Sequence, residues 1–325
     1  MRNLIRQLVP LCAPIADVML APLSMAAALL LRFVRRIGIR RLPMSRAGLR
    51  AVGVYPLVDH YYEPLFHPRH LRIALSEQRA LPAIHWDEAG QRELLARLRY
   101  GDELKAIPLE GEPGEGFYYN NGHFGPGDAE CYYSLIRQFR PRRIVEIGAG
   151  YSTQIAQWGV AVNRQRDAGY LCEHTCIEPF EMPWLEAMDG VRVLRERVET
   201  VDRRVFSTLA RGDILFIDSS HMIRPQGDVL FEYLELLPAL APGVLVHVHD
   251  IFTPRDYPAR WLVDEVKFWN EQYLLEAFLS FNSAFRIIAG LAFLQARCPA
   301  ELHAAFPVLA AQPAAEPGSF WMARN

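Results

Sequence analysis

Short apolar runs and longer amphipathic stretches alternate through the C-terminal two thirds of the chain. Residues 144–147, 191–194, 212–217, 244–249 and 285–289 are brief, largely apolar and rich in β-branched side chains. Such runs suit strands buried on both faces of a sheet. Cys176-Ile177 closes another. Residues 128–139 and a start at 154–158 read as helices, and residues 227–240 read as an amphipathic one with Val229, Leu230, Tyr233, Leu234 and Leu237 apolar. Strand and helix in alternation predict an α/β fold: a mostly parallel, seven-stranded sheet with helices on both faces.

The flanks read differently. Residues 8–31 are mostly apolar, interrupted by Pro10, Pro14, Asp17 and Pro22, and are followed by Arg32, Arg35, Arg36, Arg40, Arg41, Arg46 and Arg50. The run reaches the about 20 residues that a spanning helix needs, but its prolines and Asp17 count against a clean span. It has no obvious small-residue cleavage site of a removable signal peptide. The arginines suit anionic headgroups on a cytoplasmic surface. Two readings stay open for this helical extension: a peripheral membrane anchor through residues 8–50, or a helical hairpin packed on the protein or on a homodimer partner. Under either, the body of the protein is expected in the cytoplasm, at the inner face of the membrane in the first case.

The domain division expected is an extension over 1–50, a cap over 51–116 and the sheet domain over 117–325. Within the cap, Tyr55, Asp59, His60, Tyr61 and Tyr62 crowd together, residues 87–100 look helical with Leu94, Leu95 and Leu98 on one face, and 110–116 form a turn-rich linker. Residues 262–281 read as a helix inserted before the sixth strand, with Tyr257, Trp261 and Trp269 as acceptor-contact candidates. The Ala/Pro-rich stretch 299–317 reads as a loose connector, and Phe320-Trp321 docks the C-terminus.

Composition narrows the classes. A formal net charge of −2 over 325 residues argues against general nucleic-acid binding. Five scattered cysteines, an odd number, read as reduced thiols, and Cys172-x-x-x-Cys176 lacks the second pair of a metal clip.

Candidate chemistry begins at Glu146-Ile-Gly148-Ala-Gly150-Tyr-Ser152-Thr153, where a strand meets a helix through a glycine loop. Glycines allow a tight turn and close backbone approach, and the free N–H groups of the helix start favour a polar or anionic ligand. A dinucleotide fingerprint needs a third glycine where Thr153 stands. Glu146-x-Gly148-x-Gly150, followed by Ile177-Glu178-Pro179, resembles class I S-adenosylmethionine (SAM)-dependent methyltransferases. That resemblance implies a Rossmann-like fold and SAM as cofactor. It places Glu146, Gly148, Gly150, Ser152 and Thr153 around SAM, Glu178 on the ribose and, more weakly, 197–199 near adenine. The segment upstream of the loop often covers the methionine end in that family, which makes Tyr118, Asn120, Asn121 and His123 further candidates.

A second group lies at the ends of the fourth and fifth strands, in Asp218-Ser-Ser-His221 and His247-Val-His249-Asp250. Carboxylate and imidazole converging there suit divalent-metal binding and proton abstraction. The run resembles metal-dependent O-methyltransferases of the catechol and macrolide-sugar kind. The resemblance implies Asp218 as cofactor contact and metal ligand, His249 and Asp250 as the other ligands, and His221 as general base. His-Asp replaces the family's Asp-Asn, and imidazole favours Fe or Zn over the Mg²⁺ that an all-oxygen site prefers. His247 is either a partner of His249 or a core histidine. The function expected is methyl transfer to a small-molecule acceptor, hydroxyl favoured. The alternatives are a metal-dependent oxidase or hydroxylase using Asp218/His249/Asp250, and a non-catalytic binding module.

Overall fold

The computed structural model describes residues 2–112, 116–180, 182 and 184–325, with side chains from residue 13 onward. Part of the 110–116 linker therefore lies outside the described residues. The chain divides into two compact units, Met1–Arg72 and Ile73–Asn325, so the 51–116 segment contributes to both.

In the first unit one helix, α1 (Arg2–Ile37), runs through all three prolines. A proline removes one backbone donor and crowds one carbonyl, and a helix this long continues past such a defect. A second helix, α2 (Pro43–Val52), opens on a first-turn proline and closes at Gly53 in the left-handed conformation. Arg35 donates to the Tyr55 hydroxyl at 3.0 Å and pairs with Glu63, which ties the loop after α2 back to α1. Tyr61 and Tyr62 are 92% and 86% exposed, too open to line a pocket within this unit.

The second unit is built on β1 (Arg143–Ile147), β2 (Glu173–Ile177), β3 (Val191–Leu194), β4 (Ile214–Ile217), β5 (Leu245–Val248), β6 (Phe285–Gly290) and β7 (Phe320–Arg324). Their order is β3-β2-β1-β4-β5-β7-β6. The first five are parallel, and β7 enters antiparallel between β5 and β6. Phe320-Trp321 thus does more than dock the C-terminus: it begins an internal strand. Side chains alternate between two cores with period two. Ile144, Phe216 and Trp321 face one core, and Val145, Leu215 and Met322 face the other. The predicted α/β fold with a mostly parallel seven-stranded sheet is the fold observed.

Two expectations are corrected. Residues 262–281 are not one helix: a π-helical turn at Arg260–Asp264 ends, Val266 takes a positive φ of 53°, and a new helix starts at Glu271–Leu279. The break has a physical reason, because the N–H groups of Asn270 and Glu271 donate to the His221 carbonyl at 3.0 and 3.2 Å. That anchor restarts the helix beneath the end of β4. Residues 299–317 are not a loose connector either. They contain helices Pro299–Ala305 and Pro307–Ala311, each opened by its proline, and Leu302, Phe306, Val308 and Leu309 are buried.

Candidate functional site

The carboxyl ends of β1, β2, β4 and β5 converge, as expected for ligand sites in open parallel sheets. Gly148 has φ +78°, and an added Cβ would sit 1.8 Å from the Asp218 carbonyl oxygen. Only glycine lets the β1 and β4 ends pass so closely, with Asp218 N–H donating to the Ile147 carbonyl at 2.8 Å. Gly150 is the opposite case. Its backbone is extended and, among the described residues, a Cβ would meet no atom within 4 Å. The loop there leaves open room into which a ligand can fit.

The polar residues of the loop work mostly inward. Glu146 is fully buried; the Ser152 hydroxyl donates to it, and His174 Nε2 lies 2.8 Å from its Oε2. Thr153 Oγ1 accepts from the Gly150 N–H at 3.1 Å. These three side chains brace the loop from below rather than line the space above it. Cys176 Sγ donates to Glu146 as well, at 3.6 Å, and a carboxylate held this way in the core needs such partners, since a lone buried charge is costly.

Above the loop lies a cleft of about 580 Å³, within the range of small-molecule pockets. Gly148, Glu178, Arg197, Val198, Glu199 and Asp218 line it, all singled out by the sequence. Glu178 closes β2, with its Oε2 accepting from the Ala149 N–H at 3.2 Å and its Oε1 from the Phe180 N–H at 2.8 Å. The loop 224–228 completes the wall, a role its turn residues do not announce. Tyr118 and Asn120 are not in this wall. The Tyr118 hydroxyl lies 3.3 Å from that of Tyr151, next to Gly150, and His123 stacks on Tyr151 at 5.9 Å. Asn120 donates to Glu110 at 2.6 Å, and Asn121 clamps the turn between Tyr118 and Phe124.

The acid–imidazole group centres on His221. Its Nε2 lies 3.3 Å from Asp218 Oδ1 and 3.4 Å from Asp250 Oδ2, and its Nδ1 lies 2.8 Å from Glu271 Oε2. His221 and Asp250 both take φ +57°, a left-handed conformation uncommon outside glycine that aims the two side chains at each other. Burial disfavours the imidazolium, but the hydrogen bonds to Asp218 and Glu271 and the charge of Asp250 outweigh it, so His221 titrates well above its ordinary value. Asp218 is held below the usual carboxylate range: burial opposes its charge, and His249 and His221 more than offset that.

The three residues of this group with ligand atoms within 4.8 Å of one another are Asp218, His221 and Asp250. The sequence pattern puts His249 in that set, and the structure corrects it. His249 Nε2 lies 3.4 Å from Asp250 Oδ1, while its Nδ1 is buried with no hydrogen-bond partner among the described residues. The left-handed turn at His221 folds its ring back over the carboxylates. His247 is a core histidine: fully buried, 2.9 Å from the Ser319 hydroxyl, stacked on Phe216 at 4.0 Å, and lowered well below its ordinary pKa by burial and by His249. Glu271, fully buried behind His221, is a site residue that sequence reasoning misses. Trp269 packs 4.4 Å from the His221 ring, and Trp261 stands edge-on to Trp269 at 5.0 Å.

A family model described as a methyltransferase domain matches residues 145–251, from β1 to just past β5. The match spans the glycine loop, Glu178 and both strand-end groups, and supports a SAM-dependent methyltransferase. An uncharacterised protein of Archaeoglobus fulgidus is 35% identical over 102 residues, which are 30% of this chain. The chain spans only 44% of that curated relative's length. Among solved structures, a Plasmodium falciparum chain described as a protein-L-isoaspartate O-methyltransferase in complex with S-adenosyl-L-homocysteine shares 14% identity. It covers 51% of this chain and 78% of its own, at a TM-score of 0.26, too slight a likeness to carry an argument.

Proposed function

We propose that this protein transfers the methyl group of SAM to a hydroxyl of a small-molecule acceptor, with His221 receiving the acceptor's proton. The observation that carries the reading is the meeting of the two strand-end groups at one residue. Asp218 lines the cleft beside Gly148 and Glu178, and it also lies 3.3 Å from His221 Nε2.

The residues suit SAM in two respects: the space over Gly150 that no protein atom fills, and the Glu178 carboxylate at the cleft wall, which suits ribose hydroxyls. When bound, SAM supplies an electrophilic methyl on a sulfonium sulfur. The acceptor oxygen gains the O–C bond as the S–C bond breaks, the sulfur leaves as a neutral thioether, and the O–H proton passes to Nε2 of the neutral His221 imidazole, whose own proton has first gone to solvent. Glu271 fixes the imidazole by accepting from Nδ1–H, which leaves Nε2 on the side of Asp218 and Asp250, where the acceptor hydroxyl would enter. Trp261 and Trp269 border that side and suit an acceptor with an apolar or flat face. Holding both reactants in line, more than any single group, supplies the rate.

Asp218 and Asp250, with His221 beside them, also fit a divalent cation. A cation there would polarise the acceptor and, by engaging the carboxylates, ease the loss of the His221 proton. Mixed oxygen and imidazole donors favour Fe or Zn and admit Mg²⁺. The experiment is mass spectrometry of metabolites from cells with and without the protein, and with a His221→Ala variant. A metabolite pair differing by one methyl for hydrogen, present only with the intact protein, supports the reading. An unchanged metabolite set, or full product with His221→Ala, sinks the methyl-transfer role or the base, respectively.

A further inference from the structure

The first unit presents a surface that the chemistry of the sheet domain does not use. Residues 13–30 of α1 are exposed along their whole length, including Val18, Leu20, Leu23, Leu29 and Leu30. Between 18 and 31 the one polar side chain is Ser24. A helix that lies on a membrane keeps a polar face, whereas this stretch is apolar on every side, as a spanning helix is. Ala13–Ile37 is 25 residues long, enough by length and composition to cross a bilayer. Asp17 is the lone acid within it, and the Leu, Ile and Val of the run outweigh one such group.

The segment beyond this apolar run has the opposite character. No acidic residue occurs between Asp17 and Asp59, while Arg32, Arg35, Arg36, Arg40, Arg41, Arg46 and Arg50 all do. α2 is two-faced: Met44, Ala47, Ala51 and Val52 fall on one side at helical spacing, and Arg46 and Arg50 on the other. Met44 and Val52 are 88% and 77% exposed, and no α2 residue is buried. A basic amphipathic helix directly after an apolar one fits the boundary of a bilayer rich in anionic lipid.

We propose that α1 crosses a lipid bilayer and that α2 lies in the headgroup layer on its anionic cytoplasmic side, the arginines setting the orientation. The helix pair is the anchor, and residues from 73 onward are tethered on the arginine side.

The test uses the full chain expressed in bacteria. Membranes are washed with alkaline carbonate, and inside-out and right-side-out vesicles are treated with protease. The expected result is retention after carbonate, with the 73–325 unit digested only in inside-out vesicles. Leu23→Arg with Leu29→Arg should shift the chain to the soluble fraction, at positions exposed enough to leave folding intact. Arg36→Glu, Arg40→Glu and Arg41→Glu together should abolish the one-sided orientation. Release by carbonate, a chain that begins downstream of residue 31 by intact mass, or a detergent-free soluble oligomer dispersed by Leu23→Arg would each overturn the proposal. The last two outcomes would point to a removed leader and to a second copy of this chain as the occupant.

Discussion

Glu271 Oε2 lies 2.8 Å from His221 Nδ1, and both residues are buried at opposite ends of a 50-residue separation in sequence. The carboxylate fixes which imidazole nitrogen faces the cleft side, and the His221 carbonyl in turn accepts the N–H groups that start the Glu271 helix. Each residue therefore positions the other.

Glu271→Gln should keep the packing but lose the charge that orients and supports the imidazole. We expect kcat to fall by about 100-fold, within the usual worth of a positioned base, while the SAM dissociation constant stays unchanged. Steady-state kinetics beside calorimetry would check this. A matched loss of SAM affinity would mean that Glu271 supports the whole site and not the histidine.

The two loop glycines should respond differently to the same change. Gly148→Ala drives a methyl group into the Asp218 carbonyl, so the melting temperature should fall along with ligand binding. Gly150→Ala meets no protein atom, so its melting curve should match the parent's. SAM affinity should nevertheless weaken about tenfold or more, equivalent to about 1.4 kcal/mol. Undiminished binding in Gly150→Ala would remove the loop from the cofactor site.

Glu146→Ala tests the bracing role directly. It leaves His174 and Ser152 without their buried partner, a class of change that costs about 1–3 kcal/mol for each unsatisfied group. Urea unfolding should report that loss, and His174→Gln should retain more stability than Glu146→Ala. A near-neutral Glu146→Ala would show that the loop does not depend on this pair.

The His221 cluster gives the metal-free protein a pH dependence whose sign is set by the two shifts. The imidazole's folded pKa is raised above its unfolded value of about 6.5, so its contribution is complete below that pH and fades as pH rises through the folded value. Asp218 is depressed below about 3.9, so its contribution is present above that pH and is lost as pH falls through the folded value. Chelator-treated protein should thus lose stability on the alkaline side, and His221→Gln should flatten that limb. Adding Zn²⁺ or Mn²⁺ should release protons if the carboxylates take up the metal. An alkaline limb identical in His221→Gln would separate His221 from the effect.

Much of the fold and site is legible in the sequence because it rests on local pattern. Strand and helix periods locate the sheet, and Gly148, Glu178 and Asp218 fall at strand ends, where topology brings them together regardless of detail. The features that escape depend on contacts distant in sequence or on backbone choices a pattern does not encode. Glu271 comes from a helix whose start is set by the His221 carbonyl. His221 joins Asp218 and Asp250 through a left-handed turn that nothing in Ser219-Ser220-His221 announces. The 299–317 segment looks loose in sequence because Ala and Pro are weak core signals, yet its prolines open two helices that bury Phe306 and Leu309.

The central claim is that the cleft lined by Gly148, Glu178 and Asp218, at the end of the glycine loop, binds SAM. Isothermal titration of the full chain with SAM, S-adenosylhomocysteine and NAD tests it most directly. The account predicts saturable one-to-one binding of the first two, weakened by Glu178→Ala, and no binding of NAD. Absence of heat with SAM and S-adenosylhomocysteine, or preferential binding of NAD, would contradict it.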